Sequence, residues 1–176
     1  RALLLRPPPA YAQLALCGHQ PGRQGRSGLE ERADETQDVT EKLADASHRV
    51  PEVPEEVDDG IHAAGLRTLA DALSSLGEVW VVAPDRERSA SSHALTLNRP
   101  LRVTKVAPTW FAVDGTPTDC VALALMGMIN RKFDLVASGI NLGGNMGDDV
   151  TYSGTVSAAF EATLLGYPAF ALSLVA

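Results

Sequence analysis

Three short apolar runs constrain this chain most: Val79-Trp80-Val81-Val82-Ala83, the stretch from Asp134 to Gly139, and Ala169 to Val175. Each has the length of a strand buried on both faces, and each is bounded by Gly, Pro or Asp rather than by polar alternation. Between them lie segments of helical period. Leu66, Leu69, Ala70, Leu73 and Leu76 recur at helical spacing, with Gly77 where a C-terminal cap belongs. Pro117 opens a second helix that should run to about Ile129, and Ser153 to Leu165 reads as a third. Leu101 to Val106 and Phe111 to Val113 read as two strands joined by a short loop, in the manner of a hairpin. Strand and helix therefore alternate, which predicts an α/β architecture with a mostly parallel sheet flanked by helices.

Up to Val57 the text is different. It is Pro-rich, then rich in Gly, Arg and Gln, then acidic and helix-capable from Leu29 to Ser47. Residues 1–57 accordingly read as an irregular, disordered or inserted segment, and 58–176 as the folded domain. The 176 residues carry 15 basic and 22 acidic side chains, a net charge of −7. That balance argues against a nucleic-acid polymer as partner. Cys17 and Cys120 are too few for a disulfide framework or a thiolate zinc site, so a cytoplasmic location is expected. No apolar run approaches the roughly 20 residues of a membrane helix, so no membrane partner is expected.

In an open parallel sheet, ligands gather beyond the carboxyl ends of the strands. Three loops there are polar in the same way: Asp58-Asp59-Gly60, Asp85 to Ser89, and Ser138-Gly139-Ile140-Asn141. Carboxylate, hydroxyl and amide oxygens without imidazole or thiolate suit Mg²⁺ or Mn²⁺. A fourth segment, Gly139 to Thr155, is long and glycine-rich and ends at a helix start. Gly143, Gly144 and Gly147 should permit close backbone approach, and Ser153, Gly154 and Thr155 offer hydroxyls and free N–H groups to an anion. The glycine spacing matches neither a dinucleotide fingerprint nor a Walker loop.

Four motifs stand in order: Asp-Asp-Gly-Ile-His-Ala-Ala-Gly-Leu at 58–66, Val-Ala-Pro-Asp-Arg-Glu-Arg-Ser at 82–89, Gly-Thr-Pro-Thr-Asp-Cys at 115–120, and Ser138 to Val156 around the glycine-rich loop. With them the chain from Asp58 to about Leu174 resembles the N-terminal half of the SurE survival-protein family of 5′/3′-nucleotidases. The resemblance implies a Rossmann-like fold, incomplete at its C-terminus, and one divalent cation held by Asp58, Asp59, Ser89 and Asn141. It implies phosphate contacts from Asn145 and from Ser153, Gly154 and Thr155. Asp58 and Asp59 would be catalytic, one of them steering or deprotonating the attacking water, with the choice between them left open. The implied substrate is a nucleoside monophosphate, and a homo-oligomer is compatible with it. A rival of another class is a non-catalytic form that binds metal or nucleotide, or pairs with longer subunits.

The chain departs from the family where Glu55-Glu56-Val57 stands in place of a strand ending in asparagine, with Pro51 and Pro54 just upstream. Arg1 to Leu5 is the candidate for that strand, with residues 6–57 inserted after it. Other groups have plainer expected roles. Asp148 and Asp149 should brace the glycine-rich loop, and Asp119 should cap or brace the Pro117 helix. Cys120 should be a small buried residue. His62 and His93 should be surface or capping groups, and His93, near the Ser89 loop, is also a catalytic candidate weaker than the aspartates.

Overall fold

A computed structural model describes residues 2–6, 41–42, 44–45, 60–88 and 90–175. Its order begins with β1 (Ala2–Arg6), a single 3₁₀ turn (Gly60–His62), α1 (Ala64–Ser74), β2 (Glu78–Pro84), β3 (Val103–Ala107) and β4 (Trp110–Val113). There follow α2 (Pro117–Leu123), a π turn (Ala124–Met128), β5 (Leu135–Leu142), α3 (Asp149–Tyr152), α4 (Gly154–Leu164) and β6 (Ala169–Leu174). The strands form one six-stranded sheet in the order β3-β4-β2-β1-β5-β6.

Alternation along the strands sends side chains to two apolar layers. Leu3, Val81, Ala83, Leu135 and Ala137 meet Leu66, Leu69 and Leu73 of α1 on one face. Ala2, Leu4, Val82 and Val136 meet Cys120 and Val121 of α2 and Ala158 and Ala162 of α4 on the other. Gly65 lets α1 sit directly on β5, since a side chain there would collide with the Ile140 carbonyl. The result is a helix–sheet–helix sandwich with β1 in its middle.

The sheet corrects the expectation of a mostly parallel, Rossmann-like arrangement. Pairs β2/β4 and β5/β6 are parallel, but β1 runs antiparallel to both β2 and β5, and β3/β4 is an antiparallel hairpin. The reason lies in what a connection demands. A strand joined to the next helix by a short turn must end where that helix begins, which forces it parallel. Here β1 ends at Arg6 beside Glu78, the far end of β2 from Gly60. The 53 residues from 7 to 59 can span that return at little extra cost in closure entropy. Direction is then free, because Ala2, Leu3 and Leu4 bury alternate side chains on both faces whichever way the strand runs.

Two boundaries also moved. The helix from Pro117 stays α-helical only to Leu123 and then widens into the π turn, inside which Gly127 takes φ +127°. Ser75 in right-handed geometry ends α1, two residues before Gly77. Cys120 lies fully buried in the second apolar layer, and burial pushes its thiol pKa up to about 12. At pH 8 the native Cys120 is expected to alkylate at least about 100-fold more slowly than the same thiol in urea, because the thiolate is the reactive form. Peptide mass spectrometry after timed iodoacetamide treatment measures this, and comparable rates in both states would contradict the burial.

Candidate metal and phosphate site

Four strands, β2, β4, β5 and β6, share one direction, so their carboxyl ends still lie along one edge of the sheet. Gly60, the residue after Asp59, packs at that edge: its Cα faces the carbonyl oxygens of Pro84 and Arg86 at the end of β2. Asp58, Asp59 and Ser89 themselves lie outside the described residues. The remaining members of the expected set are Asn141, Asn145, Ser153, Gly154 and Thr155.

Asn141 is the penultimate residue of β5. Its Nδ2 donates to the carbonyls of Leu142 at 3.2 Å and Gly143 at 2.9 Å. Both amide hydrogens are thereby used on its own turn, and Oδ1 is left facing Thr155, whose Oγ1 donates to it across 3.4 Å. That contact is long, so the carbonyl oxygen keeps most of its accepting capacity.

Ser153 is the N-cap of α4, its Oγ accepting from Val156 N–H at 3.2 Å. The first-turn N–H groups of Gly154 and Thr155 have no partner within the helix, which leaves them for an anion. Gly154 is required by crowding. A Cβ there would fall 2.9 Å from both Pro117 Cγ and Ser91 Oγ, so only glycine lets the start of α4 close against α2 and the β2–β3 loop. Structure thus brings Asn141, Ser153, Gly154 and Thr155 together at one end of the sheet.

Asn145 is placed differently. Its Nδ2 donates to Ser173 Oγ on β6, and Ser173 is the register partner of Asn141. The side chain ties the glycine-rich loop to the sheet edge beside Asn141. Gly143 and Gly147 take φ +98° and +58° with open space around them, so they serve backbone turning rather than the close approach expected. Asp148 and Asp149 hold the α3 turn through their backbone carbonyls, which accept from Thr151 and Ser153, rather than through their carboxylates.

The loop after β2 is fixed by polar contacts on several sides. Arg88 donates to the Asp114 carbonyl at 3.0 Å, and Ser92 N–H to the Tyr152 carbonyl at 3.1 Å. Thr96 donates through N–H at 2.8 Å and Oγ1 at 2.6 Å to the two carboxylate oxygens of buried Asp119. Asp119 also accepts from Thr116 N–H, and Thr116 Oγ1 accepts from Asp119 N–H in return, a capping box that starts α2. The expected bracing role of Asp119 is therefore seen, together with a second one that spacing did not show. Asp85 titrates below the usual carboxylate range because Arg86 bonds it, and Asp114 does so because the Arg102 N–H bonds it. Sequence reasoning passed over Glu161, whose carboxylate oxygen lies 2.7 Å from His93 Nε2. The one charged residue in α4 was the signal. His62 is exposed. Among the described residues no three His, Cys, Asp or Glu side chains converge as a metal cluster, and no helix is long and apolar enough to cross a membrane.

Fold and site together define an α/β sandwich in which an oxygen donor at a strand end faces the start of a helix, an arrangement suited to a phosphorylated ligand. A family model described as Survival protein SurE matches residues 57–176, and the chain belongs to that family. It is 63% identical over 117 residues to a protein named 5′-nucleotidase SurE from Geobacter metallireducens, covering 66% of this chain and 46% of the relative. It is 64% identical over 118 residues to one of the same name from Geotalea uraniireducens, covering 67% and 48%. A crystal structure of the Sure protein from Aquifex aeolicus superposes with a TM-score of 0.64 at 49% identity, covering 68% of this chain and 49% of that one. This chain spans about half the length of the curated relatives it matches.

Proposed function

We propose that the protein is a metal-dependent phosphomonoesterase that hydrolyses nucleoside 5′- and 3′-monophosphates. The observation that carries this reading is the orientation of Asn141: its nitrogen is committed to two backbone carbonyls, and its oxygen points toward the N-terminal turn of α4. A hard cation fits that donor chemistry, and the residues that would hold it are Asp58, Asp59, Ser89 and Asn141. When bound, Mg²⁺ or Mn²⁺ supplies positive charge that offsets the phosphoryl group and makes water more acidic. The same reading takes β1 together with 58–176 as the working domain and the residues between them as an insertion.

Each residue then has a task. Gly154 and Thr155 present N–H groups to phosphoryl oxygens, where the helix dipole favours negative charge. Ser153 Oγ already accepts from Val156, so its hydroxyl proton is free to be donated to the phosphate. Asn145, held beside Asn141 by Ser173, keeps its Oδ1 and one N–H for the loop side of the ligand. One carboxylate of Asp58 and Asp59 orients or deprotonates the attacking water so that it meets phosphorus in line. The names of the relatives, 5′-nucleotidase SurE, support the nucleotide as substrate.

The test is phosphate release from AMP and GMP by the purified chain. Release is expected with Mn²⁺ and is expected to stop on addition of EDTA and return with excess Mn²⁺. Calorimetrically tight Mn²⁺ binding with no turnover would reject the phosphomonoesterase in favour of a non-catalytic metal-binding protein.

A further inference from the structure

Glu161 is an unusual residue for its position. It lies seven residues into α4, between Ala158 and Ala162 of the second apolar layer, and is 7% exposed. Burying a carboxylate costs free energy that an apolar side chain would not. Its recorded side-chain partner among the described residues is His93, at 2.7 Å, whose ring also meets Phe160 edge-on at 5.1 Å. His93 belongs to the β2–β3 loop, four residues after Ser89. Its neighbour Ser92 bonds Tyr152, and Thr116 Oγ1 donates to the carbonyl of Ala94 at 2.7 Å. Both flanks of His93 are thus held at the backbone, and its own side chain reaches over to α4.

We infer that His93 and Glu161 are a positioning pair, which holds the part of the β2–β3 loop around Ser91 against the first turn of α4 and so acts on the donor at position 89, two residues upstream. This rests on the reading of Ser89 as a cation donor. The donors of this reading come from separate parts of the chain: Asn141 and Thr155 from β5 and α4, and Ser89 from the sequence between β2 and β3. A loop can hold a donor to the tolerance a cation requires only if its neighbours fix it, and partners one layer beyond the ligands commonly do this. The apolar layer does not need a carboxylate at 161, so the pair's contribution is expected in the site rather than in the fold.

The experiment compares the full chain with Glu161→Leu, Glu161→Gln, His93→Ala and the double variant Glu161→Leu/His93→Ala. Mn²⁺ affinity is read by calorimetry, KM and kcat with AMP, and thermal unfolding. Glu161→Leu is expected to unfold near the wild-type temperature, whereas His93→Ala, which leaves a buried carboxylate unpaired, is expected to unfold lower. At a temperature where each is fully folded, both are expected to bind Mn²⁺ about 10-fold more weakly, the size seen when partners of metal ligands are removed. Glu161→Gln should stay near wild type, since its amide still bonds the imidazole. The double variant should be no worse than either single one, because both remove the same contact. Wild-type Mn²⁺ affinity in both Glu161→Leu and His93→Ala would overturn this inference alone, as would losses that merely track the folded fraction. A wild-type chain that neither binds Mn²⁺ nor releases phosphate would overturn the functional reading, and this one with it.

Discussion

Asn141→Leu is expected to lower Mn²⁺-dependent phosphate release from AMP by at least about 100-fold, as is Asp58→Asn, while the substituted chain still folds. Leucine matches asparagine in size, but it removes the one atom that the local structure aims at the site. The Nδ2 bonds to Leu142 and Gly143 fix the direction of Oδ1, so donor and orientation are lost together. Asn141 is only half-buried and its two carbonyl partners are near solvent, so water can replace the lost amide bonds and the cost to stability should stay small. Asn141→Asp separates the two contributions. It restores an oxygen donor but cannot donate to the carbonyls, which would repel its charge and turn it away. Release is expected to fall between wild type and Asn141→Leu. Phosphate assays at saturating and limiting Mn²⁺ give the answer, and full activity in Asn141→Leu would remove position 141 from the site.

Asp119→Ala should cost about 3 kcal/mol of stability. Its carboxylate accepts from Thr96 N–H, Thr96 Oγ1 and Thr116 N–H, all at 2.6 to 2.8 Å. Alanine fills none of that space and leaves these donors to find water where little reaches, since Asp119 is 2% exposed. The Thr116 N–H bond among these is one half of the capping box at α2, and the other half, from the residue 119 N–H to Thr116 Oγ1, survives the substitution. Asp119→Asn should be milder, because one oxygen remains to accept while the new NH₂ faces donors. Urea unfolding followed by circular dichroism measures both, and a change in Asp119→Ala below about 1 kcal/mol would show that the network contributes little. A loss of AMP hydrolysis beyond the loss of folded protein is also expected, since Thr96 anchors the loop that carries Ser89.

Much of the framework was readable because short-range chemistry set it. The runs at 79–83, 134–139 and 169–175 became β2, β5 and β6, and the hairpin reading of 101–113 became β3 and β4 with bounds shifted by a few residues. Ser153 and Pro117 marked the starts of α4 and α2 because capping is decided within three or four residues. The end of the Pro117 helix was not readable in this way. Met126-Gly127-Met128 has helical composition, but Gly127 takes a positive φ that no neighbour in sequence demands. Glu161 was missed for a related reason: its partner lies 68 positions away, and spacing carries no information over that distance.

By itself the sequence determined most of the strand and helix segments and which family the motifs match. Those follow from local propensity, periodicity and the commitment of polar residues to turns. Only the tertiary structure decided the direction of β1, the aim of Asn141 Oδ1, the turning of Asn145 toward Ser173 and the pairing of His93 with Glu161. An apolar strand on a long connection satisfies burial in either direction, and a side chain is aimed by partners that become neighbours only when the chain has folded.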